Sequence, residues 1–227
     1  MSHDGISPPL TEAFSMNVQD LIEALRSQTQ PIQEILSRHC KLEILQEIPD
    51  ELWHMLACDL AERAILKLNA SGREQPASQL EHIETKRAWV VEKASEKDRA
   101  DAYSIAYRYE HNKQIAWWLA GGESLLEDPE TRDEGRQQRA ETEAALAVCF
   151  VCQAQQPHLL TSKVSSKSHN VFVLLAPEQS PKEYEWQARR FTWWLSKLDQ
   201  SPDAWQAALH NPASSDCPED TTLSFAL

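Results

Sequence analysis

The chain has 227 residues and a formal net charge of −13, with 22 Lys and Arg against 35 Asp and Glu. Its length fits one domain with a sizeable core, and 41% hydrophobic residues argue against wholesale disorder. Nucleic-acid binders usually carry a basic patch, and this sequence has no long Lys/Arg cluster, so a nucleic-acid partner is not expected. A protein with a basic surface is the expected partner.

The composition also predicts a fold class and a compartment. Only five glycines and few alternating β-branched residues predict a predominantly all-α fold, either an orthogonal helical bundle or stacked helical hairpins. The N-terminus resembles no export signal, and the longest apolar run, Ala144 to Val151, is far below the roughly 20 residues of a membrane span. Together with an odd number of cysteines, five, this predicts reduced thiols, a cytoplasmic location and no membrane insertion.

In chain order, residues 1–16 are predicted to be a mobile arm, 17–210 a single helical domain, and 211–227 a mobile acidic tail. The first helices are expected after Asn17 and at Pro31. The next runs from about Glu51 to Asn69, capped by Asp50, and its wide apolar face predicts a central helix. That face comprises Trp53, His54, Ala57, Cys58, Leu60, Ala61, Ala64, Ile65 and Leu68. The residues expected in solvent are Asp59, Glu62, Arg63 and Lys67.

Three further helices are predicted before the acidic part of the chain. One is capped by Ser78 and ends near Ala94, and a capping box of Ser95 and Asp98 opens the next. A third, short helix then begins at Asn112 and carries Trp117-Trp118-Leu119. It is expected to anchor through Ile115 and Trp118 and to end where Gly121-Gly122 permits positive φ.

The segment LLEDPETRDEGRQQ is predicted to be an exposed acidic loop that grades into a helix, which becomes apolar on every side at AALAVCFVCQA. Val171 to Leu175 is bounded by Asn170 and Pro177 and is the best strand candidate. It could pair with residues 158–164, so a small β-hairpin is predicted around residues 158–176.

The helix predicted from Pro181 to Asp199 is started by Ser180 as N-cap, with Glu183 at the third position. Two of its tryptophans lie about half a turn from its core stripe and are flanked by cations, a combination enriched at binding hot spots. Two interpretations stay open, a partner-binding face or a helix sandwiched between two layers. The candidate partner-binding residues are Trp186, Trp193, Arg189, Arg190 and Lys197.

Two patterns resemble metal sites. His54 and Cys58 are four residues apart, and the pair Cys149 and Cys152 could complete a tetrahedral zinc site, although buried core cysteines are the commoner explanation. His82-Ile-Glu84 with the same cysteine pair resembles a zinc-deaminase arrangement, but the proline before the cysteines is missing. No metal or cofactor and no catalytic residue is therefore assigned.

Three segments resemble a family of bacterial helical proteins of unknown function that are encoded near type VI secretion genes. The first is AWVVEKASEKDRADAYSIAYRYEHNKQIAWWLAGGESL, with its Ala-Trp-Val, its Arg- and Ala-rich helix, and its tryptophan leading into Gly-Gly and Ser-Leu. ETEAALAVCFVCQA and ARRFTWWLSKLD are similar to the two later helices of that family, so the resemblance covers about residues 80–200. Leu119-Ala120 and Glu123 depart from the family pattern. The resemblance implies a cytoplasmic accessory role and brings no catalytic residues.

The favoured hypothesis is a non-enzymatic helical adaptor that binds another protein, in a type VI secretion context. Two alternatives stay open. One is an immunity or inhibitor protein for a basic toxin. The other is an enzyme built either on His54, Cys58, Cys149 and Cys152 or on a small-molecule pocket lined by tryptophans and tyrosines.

Overall fold

A computed structural model describes residues 21–23, 25 and 48–212. Within residues 48–212 the chain forms helices and no strand, which confirms the predicted all-α fold class for this part of the protein. Residues 21–23 and 25, in the helix predicted after Asn17, are helical. The predicted arm, the helix expected at Pro31 and nearly all of the predicted tail lie outside the described residues.

The helices pack around a central group of three. Helices α1, α5 and α6 contact one another. Helix α2 packs on α1 and α5, and α3 packs on α2 and α5. Helix α7 packs on α1 and α6, and α8 packs on α7. None of the helices between residues 48 and 212 has both the length and the apolar character needed to cross a lipid bilayer. The elements are α1 (Asp50–Ala70), α2 (Ala77–Val90), α3 (Glu96–Leu119), α4 (Ser124–Glu127), α5 (Arg132–Val151), α6 (Pro157–Leu175), a 3-10 turn (Pro177–Gln179), α7 (Ser180–Gln200) and α8 (Pro202–His210).

Helix α1 is the central helix that its wide apolar face predicts. Every residue of that face is buried, and α2, α5, α6 and α7 all contact the helix. The expectation that its charged residues face solvent is wrong for three of the four. Asp59, Arg63 and Lys67 are each buried, and only Glu62 keeps part of its side chain in solvent.

The buried charges of α1 form a row, four residues apart, that faces the start of α7. Lys67 Nζ donates to Gln179 Oε1 at 2.8 Å, and Arg63 Nε pairs with the Glu183 carboxylate at 2.5 Å. Burying a charge is costly unless it is paired, so each of these contacts offsets a desolvation cost. The partners of Lys67 and Arg63 lie 112 and 120 residues further along the chain. A local pattern of apolar residues contains no information about such distant partners, so it predicts that charged residues face solvent.

Asp59 is the third buried charge of this row and lies at its N-terminal end. Its Oδ1 accepts from Arg87 Nη2 at 2.9 Å, and its Oδ2 accepts from Arg190 Nε at 2.6 Å and Trp194 Nε1 at 2.7 Å. One carboxylate therefore joins α1 to α2 and to α7.

The predicted hairpin around residues 158–176 is wrong, because this stretch is helix α6. Its buried residues recur at helical spacing, but several of them are hydroxyl residues, which hid the period. Thr161 Oγ1 donates to the carbonyl of Trp53 at 2.8 Å, and Ser165 Oγ donates to Gln187 Oε1 at 2.7 Å. These bonds let polar side chains occupy positions that an apolar pattern would require to be hydrophobic.

The start of α7 also differs from the prediction. The helix begins at Ser180 itself after the 3-10 turn, and no side chain caps it. Glu183 does not close a capping box because its carboxylate is bound to Arg63 and to Gln187 Nε2. The following helix, α8, does have a side-chain cap, since Ser201 Oγ accepts from the Ala204 amide at 3.1 Å.

We expect Asp59→Ala to lower the free energy of unfolding by about 3–5 kcal/mol, since it leaves the partly buried Arg87 and the buried Arg190 without this carboxylate. Urea denaturation followed by circular dichroism measures the change. Asp101→Ala, at an exposed acid on α3, is the control and should stay within about 0.5 kcal/mol. Equal losses in the two variants would contradict the role of Asp59.

Candidate functional site

Helix α3 is a single helix of 24 residues, Glu96–Leu119. The predicted capping box is confirmed, with the Asp98 amide donating to Ser95 Oγ and the Ser95 amide donating to the Asp98 carboxylate. The separate helix predicted from Asn112 is wrong. No Gly or Pro interrupts residues 96–119, so the backbone hydrogen bonding continues to the glycine pair.

The two adjacent tryptophans near the end of α3 have opposite environments. Trp117 is only 1% exposed, whereas Trp118 is 64% exposed and Ile115 is 44% exposed. The predicted anchoring through Ile115 and Trp118 is therefore wrong, and Trp117 is the anchor. Neighbouring positions on a helix point about 100° apart, so only one of two adjacent tryptophans can face the same core.

A glycine turn holds the exposed ring in place. The Gly122 amide donates to the Trp117 carbonyl at 2.9 Å and the Gly121 amide to the Trp118 carbonyl at 3.2 Å, the bonding pattern of a Schellman motif. Both glycines have positive φ, +121° and +57°, as predicted. A Cβ on Gly122 would lie 2.8 Å from Cε3 of Trp118, so the indole ring packs directly on the glycine backbone.

A stripe of large side chains continues along the solvent face of α3. Its members are 49% (Tyr107), 44% (Ile115), 64% (Trp118) and 83% (Leu119) exposed. The His111 ring stacks on Tyr107 with centroids 6.2 Å apart and bridges the gap to the next turn. We call these five residues the α3 stripe: Tyr107, His111, Ile115, Trp118 and Leu119.

Directly after the glycine turn comes a strongly acidic stretch. Residues 123–134, the acidic segment, contain six carboxylates and a single Arg, and all six carboxylates are exposed. The predicted exposure of this stretch is confirmed, but the predicted loop is short, because Ser124–Glu127 forms α4 and α5 begins at Arg132. A Cβ on Gly135 would lie 2.8 Å from Cβ of Leu125, so this close approach holds the acidic segment against α5, beside the glycine turn.

The five residues predicted to bind a partner lie on α7 and do not form one exposed face. Trp186 and Trp193 are each 6% exposed and Arg190 is 4% exposed, whereas Arg189 is exposed and Lys197 is half-buried.

The buried members of this set contact other buried groups. The Arg63 guanidinium lies 4.0 Å from the ring centroid of Trp186, and Arg190 lies 4.4 Å from that of Trp193. This placement fits the sandwiched-helix interpretation. Partner binding by these five residues stays a prediction.

The four predicted metal ligands do not assemble into a site. Among the described residues, no group of three or more His, Cys, Asp or Glu side chains is arranged to hold a metal ion. Cys58 Sγ approaches the Ile83 carbonyl and Cys152 Sγ approaches the His82 carbonyl, at 4.0 and 3.9 Å. His82 therefore contacts Cys152 through its backbone carbonyl and not as a metal ligand, so the deaminase-like arrangement is not formed either.

The chemistry of these groups agrees with core packing. Burial raises the pKa of Cys58, of Cys149 and of Cys152 to about 12, so the thiols stay protonated at neutral pH. Burial, together with the positive charges of Lys86 and Arg99, lowers the pKa of His54 to about 3. The neutral His54 ring packs edge-on against Trp89, with centroids 5.4 Å apart.

A cleft of about 340 Å³ opens near the N-terminal end of α3. Two cations next to it hold the end of α5, with Lys86 Nζ donating to the Gln153 carbonyl at 2.9 Å and Arg99 to the Cys152 carbonyl at 2.5 Å. This cleft is not the predicted pocket of tryptophans and tyrosines, because its lining contains one tyrosine and no tryptophan. The lining residues are Glu96, Arg99, Tyr103, Gln153, Ala154 and Gln155.

Sequence reasoning missed the α3 stripe because it divided the helix at Asn112. The signal was present, since Ala102, Ala106 and Trp117 fall on one face of a continuous helix and all three are buried. On a helical wheel of residues 96–119, Trp118 and Leu119 point away from this buried face.

Comparison of the chain with protein-family models, with curated proteins and with solved structures found no match. The resemblance to proteins encoded near type VI secretion genes therefore stays a prediction.

The opposite environments of the two tryptophans predict opposite effects of substitution. Trp117→Ala should lower the free energy of unfolding by about 3–5 kcal/mol because it leaves a cavity. Trp118→Ala, its matched control, should change it by less than about 1 kcal/mol. Urea denaturation of both variants measures this, and similar losses would contradict the assigned environments.

The lowered pKa of His54 predicts a loss of stability in acid. The unfolded chain binds a proton below about pH 6.5 that folded His54 does not bind until about pH 3. For each unit by which the pH falls within this window, this residue should therefore lower the free energy of unfolding by up to about 1.4 kcal/mol.

The test compares the free energies of unfolding of the wild type and of His54→Gln from pH 7 to pH 4. The wild-type advantage should shrink as the pH falls. His210→Gln, at an exposed histidine, provides the control. A constant difference between wild type and His54→Gln would show that His54 does not stay neutral in the folded protein.

Proposed function

We propose that this protein is a non-enzymatic helical adaptor that binds another protein through the α3 stripe. The observation that carries the proposal is Trp118, a large aromatic side chain that is 64% exposed and packed on Gly122. Tryptophan is enriched among residues that dominate binding energy at interfaces. A ring already held in one orientation loses less conformational freedom on binding than a mobile side chain.

The continuity of the α3 stripe also supports an interface. Single exposed hydrophobic residues are normal on protein surfaces, but contiguous exposed patches usually mark sites of interaction. Three of the stripe residues, Ile115, Trp118 and Leu119, lie at i, i+3 and i+4, so they adjoin on one helical face. Residues with this spacing are the usual anchors where a helix docks against a partner.

A binding role also agrees with how the buried reactive groups are used. The thiols of Cys58 and Cys152 stay protonated inside the core, and the amine of Lys86 donates to the Gln153 carbonyl. The resemblance over residues 80–200 supports a component of a type VI secretion machine as the proposed partner.

A second candidate function is an immunity or inhibitor protein for a basic toxin. The six exposed carboxylates of the acidic segment favour it, since opposite charges steer such pairs together. The identity of the captured partner separates the two functions, because an inhibitor would be recovered with a toxin and an adaptor with a component of a larger assembly.

Affinity capture from native cells tests the proposed function. The doubly substituted Trp118→Ala, Leu119→Ala protein should fold normally and lose the partner that the wild type captures, because its anchors are gone. The matched control replaces Leu159 and Val173 by Ala, two exposed apolar residues on α6, and should keep the partner. Mass spectrometry identifies what is captured. Retention by the first variant, or loss by both, would refute docking at the α3 stripe.

A further inference from the structure

We infer that the α3 stripe and the acidic segment together bind a cationic amphipathic helix of a protein partner. Its apolar side would lie on the α3 stripe and its basic side on the acidic segment. This inference rests on the proposed function and adds the chemistry of the partner.

The charge of the acidic segment is largely uncompensated. Two of its six carboxylates have cationic neighbours: Glu134 pairs with Arg73 at 2.5 Å, and Glu123 lies 3.8 Å from Arg139. Within residues 48–212 no ion pair forms to the other four, which are Glu127, Asp128, Glu130 and Asp133. Several like charges held close together repel one another and make the local electrostatic potential more negative. A basic partner would reduce this repulsion.

The one arginine inside the acidic segment, Arg132, forms hydrogen bonds to the backbone of that segment. Arg132 Nε donates to the Leu126 carbonyl at 3.0 Å, and its Nη2 donates to the Glu127 carbonyl at 3.3 Å. The hydroxyl of Thr131 donates to the Leu125 carbonyl at 3.2 Å. These side-chain bonds fold the segment back on itself, so its carboxylates are presented from an ordered backbone.

The dimensions of the α3 stripe suit a helix as the bound segment. Tyr107 and Leu119 are 12 residues apart, which corresponds to about 18 Å along the axis of α3. A partner helix of about 14 residues, roughly 21 Å long, would cover this distance. Its basic residues would then reach the acidic segment, because the Leu125 side chain lies against Gly121 at the end of the stripe.

The net charge argues against other occupants. A second copy of this chain would bring another −13, so two acidic molecules would repel at this surface. A nucleic acid or an anionic membrane surface would meet the same repulsion. A cationic protein segment is the occupant whose charge matches.

Peptide binding tests the inference. One labelled peptide of about 14 residues carries Leu on one helical face and Lys or Arg on the other, and a matched peptide carries Glu at every basic position. Fluorescence anisotropy with the full-length protein should detect binding of the cationic peptide and none of the anionic one. Trp118→Ala with Leu119→Ala should weaken binding about tenfold or more.

A charge-matched pair of variants separates local recognition from net charge. Glu127→Lys, Glu130→Lys and Asp133→Lys together should also weaken binding about tenfold or more. The control replaces Glu81, Glu178 and Glu185 by Lys, the same change in net charge at exposed sites elsewhere, and should weaken it by no more than about threefold.

Equal weakening by the two charge variants, equal binding of both peptides, or a dimer in light scattering that requires Trp118 would each overturn the inference. If native capture requires Trp118 but the cationic peptide does not bind, the partner chemistry is wrong and the adaptor function stands. If capture is also independent of Trp118, the proposed function itself is wrong.

Discussion

The buried carboxylate of Asp59 is the contact on which the arrangement of the helices depends. It accepts hydrogen bonds from Arg87 on α2 and from Arg190 and Trp194 on α7, while its own backbone belongs to the central helix α1. A buried charge is tolerable only when its partners are in place. The three helices must therefore meet in one register, and sliding α7 by a turn would separate these partners.

This packing also determines which aromatic side chains can meet a partner. Two tryptophans of α7 contact the charged row of α1, since Trp186 packs against Arg63 and Trp194 donates to Asp59. Helix α3 contacts α2 and α5, and Trp117 lies on its buried face. Its opposite face, with Trp118 and Leu119, is left to solvent. The sequence Trp-Trp-Leu occurs twice in the chain. At residues 193–195 of α7 it is buried, whereas at residues 117–119 of α3 only the first tryptophan is buried.

The buried ionisable groups likewise serve packing. Lys86 and Arg99 donate to the carbonyls of Gln153 and Cys152 at the C-terminal end of α5, where cations are favoured by the helix dipole. Neutral His54 and the protonated thiol of Cys58 fill space beside them. Chemical groups that resemble a metal site in sequence are, in three dimensions, part of the core.

The sequence by itself determined the all-α class, the central helix α1, the capping box of α3, the turn at Gly121-Gly122 and the acidic segment. Each of these depends on contacts within a few residues, where hydrophobic period, capping and glycine conformation act. Only the tertiary structure decided that Asp59, Arg63 and Lys67 are buried, that residues 158–176 form a helix, and that Trp118 is exposed. Those outcomes depend on side chains supplied by distant helices, and local sequence patterns do not encode which distant partner satisfies a charge or covers a ring.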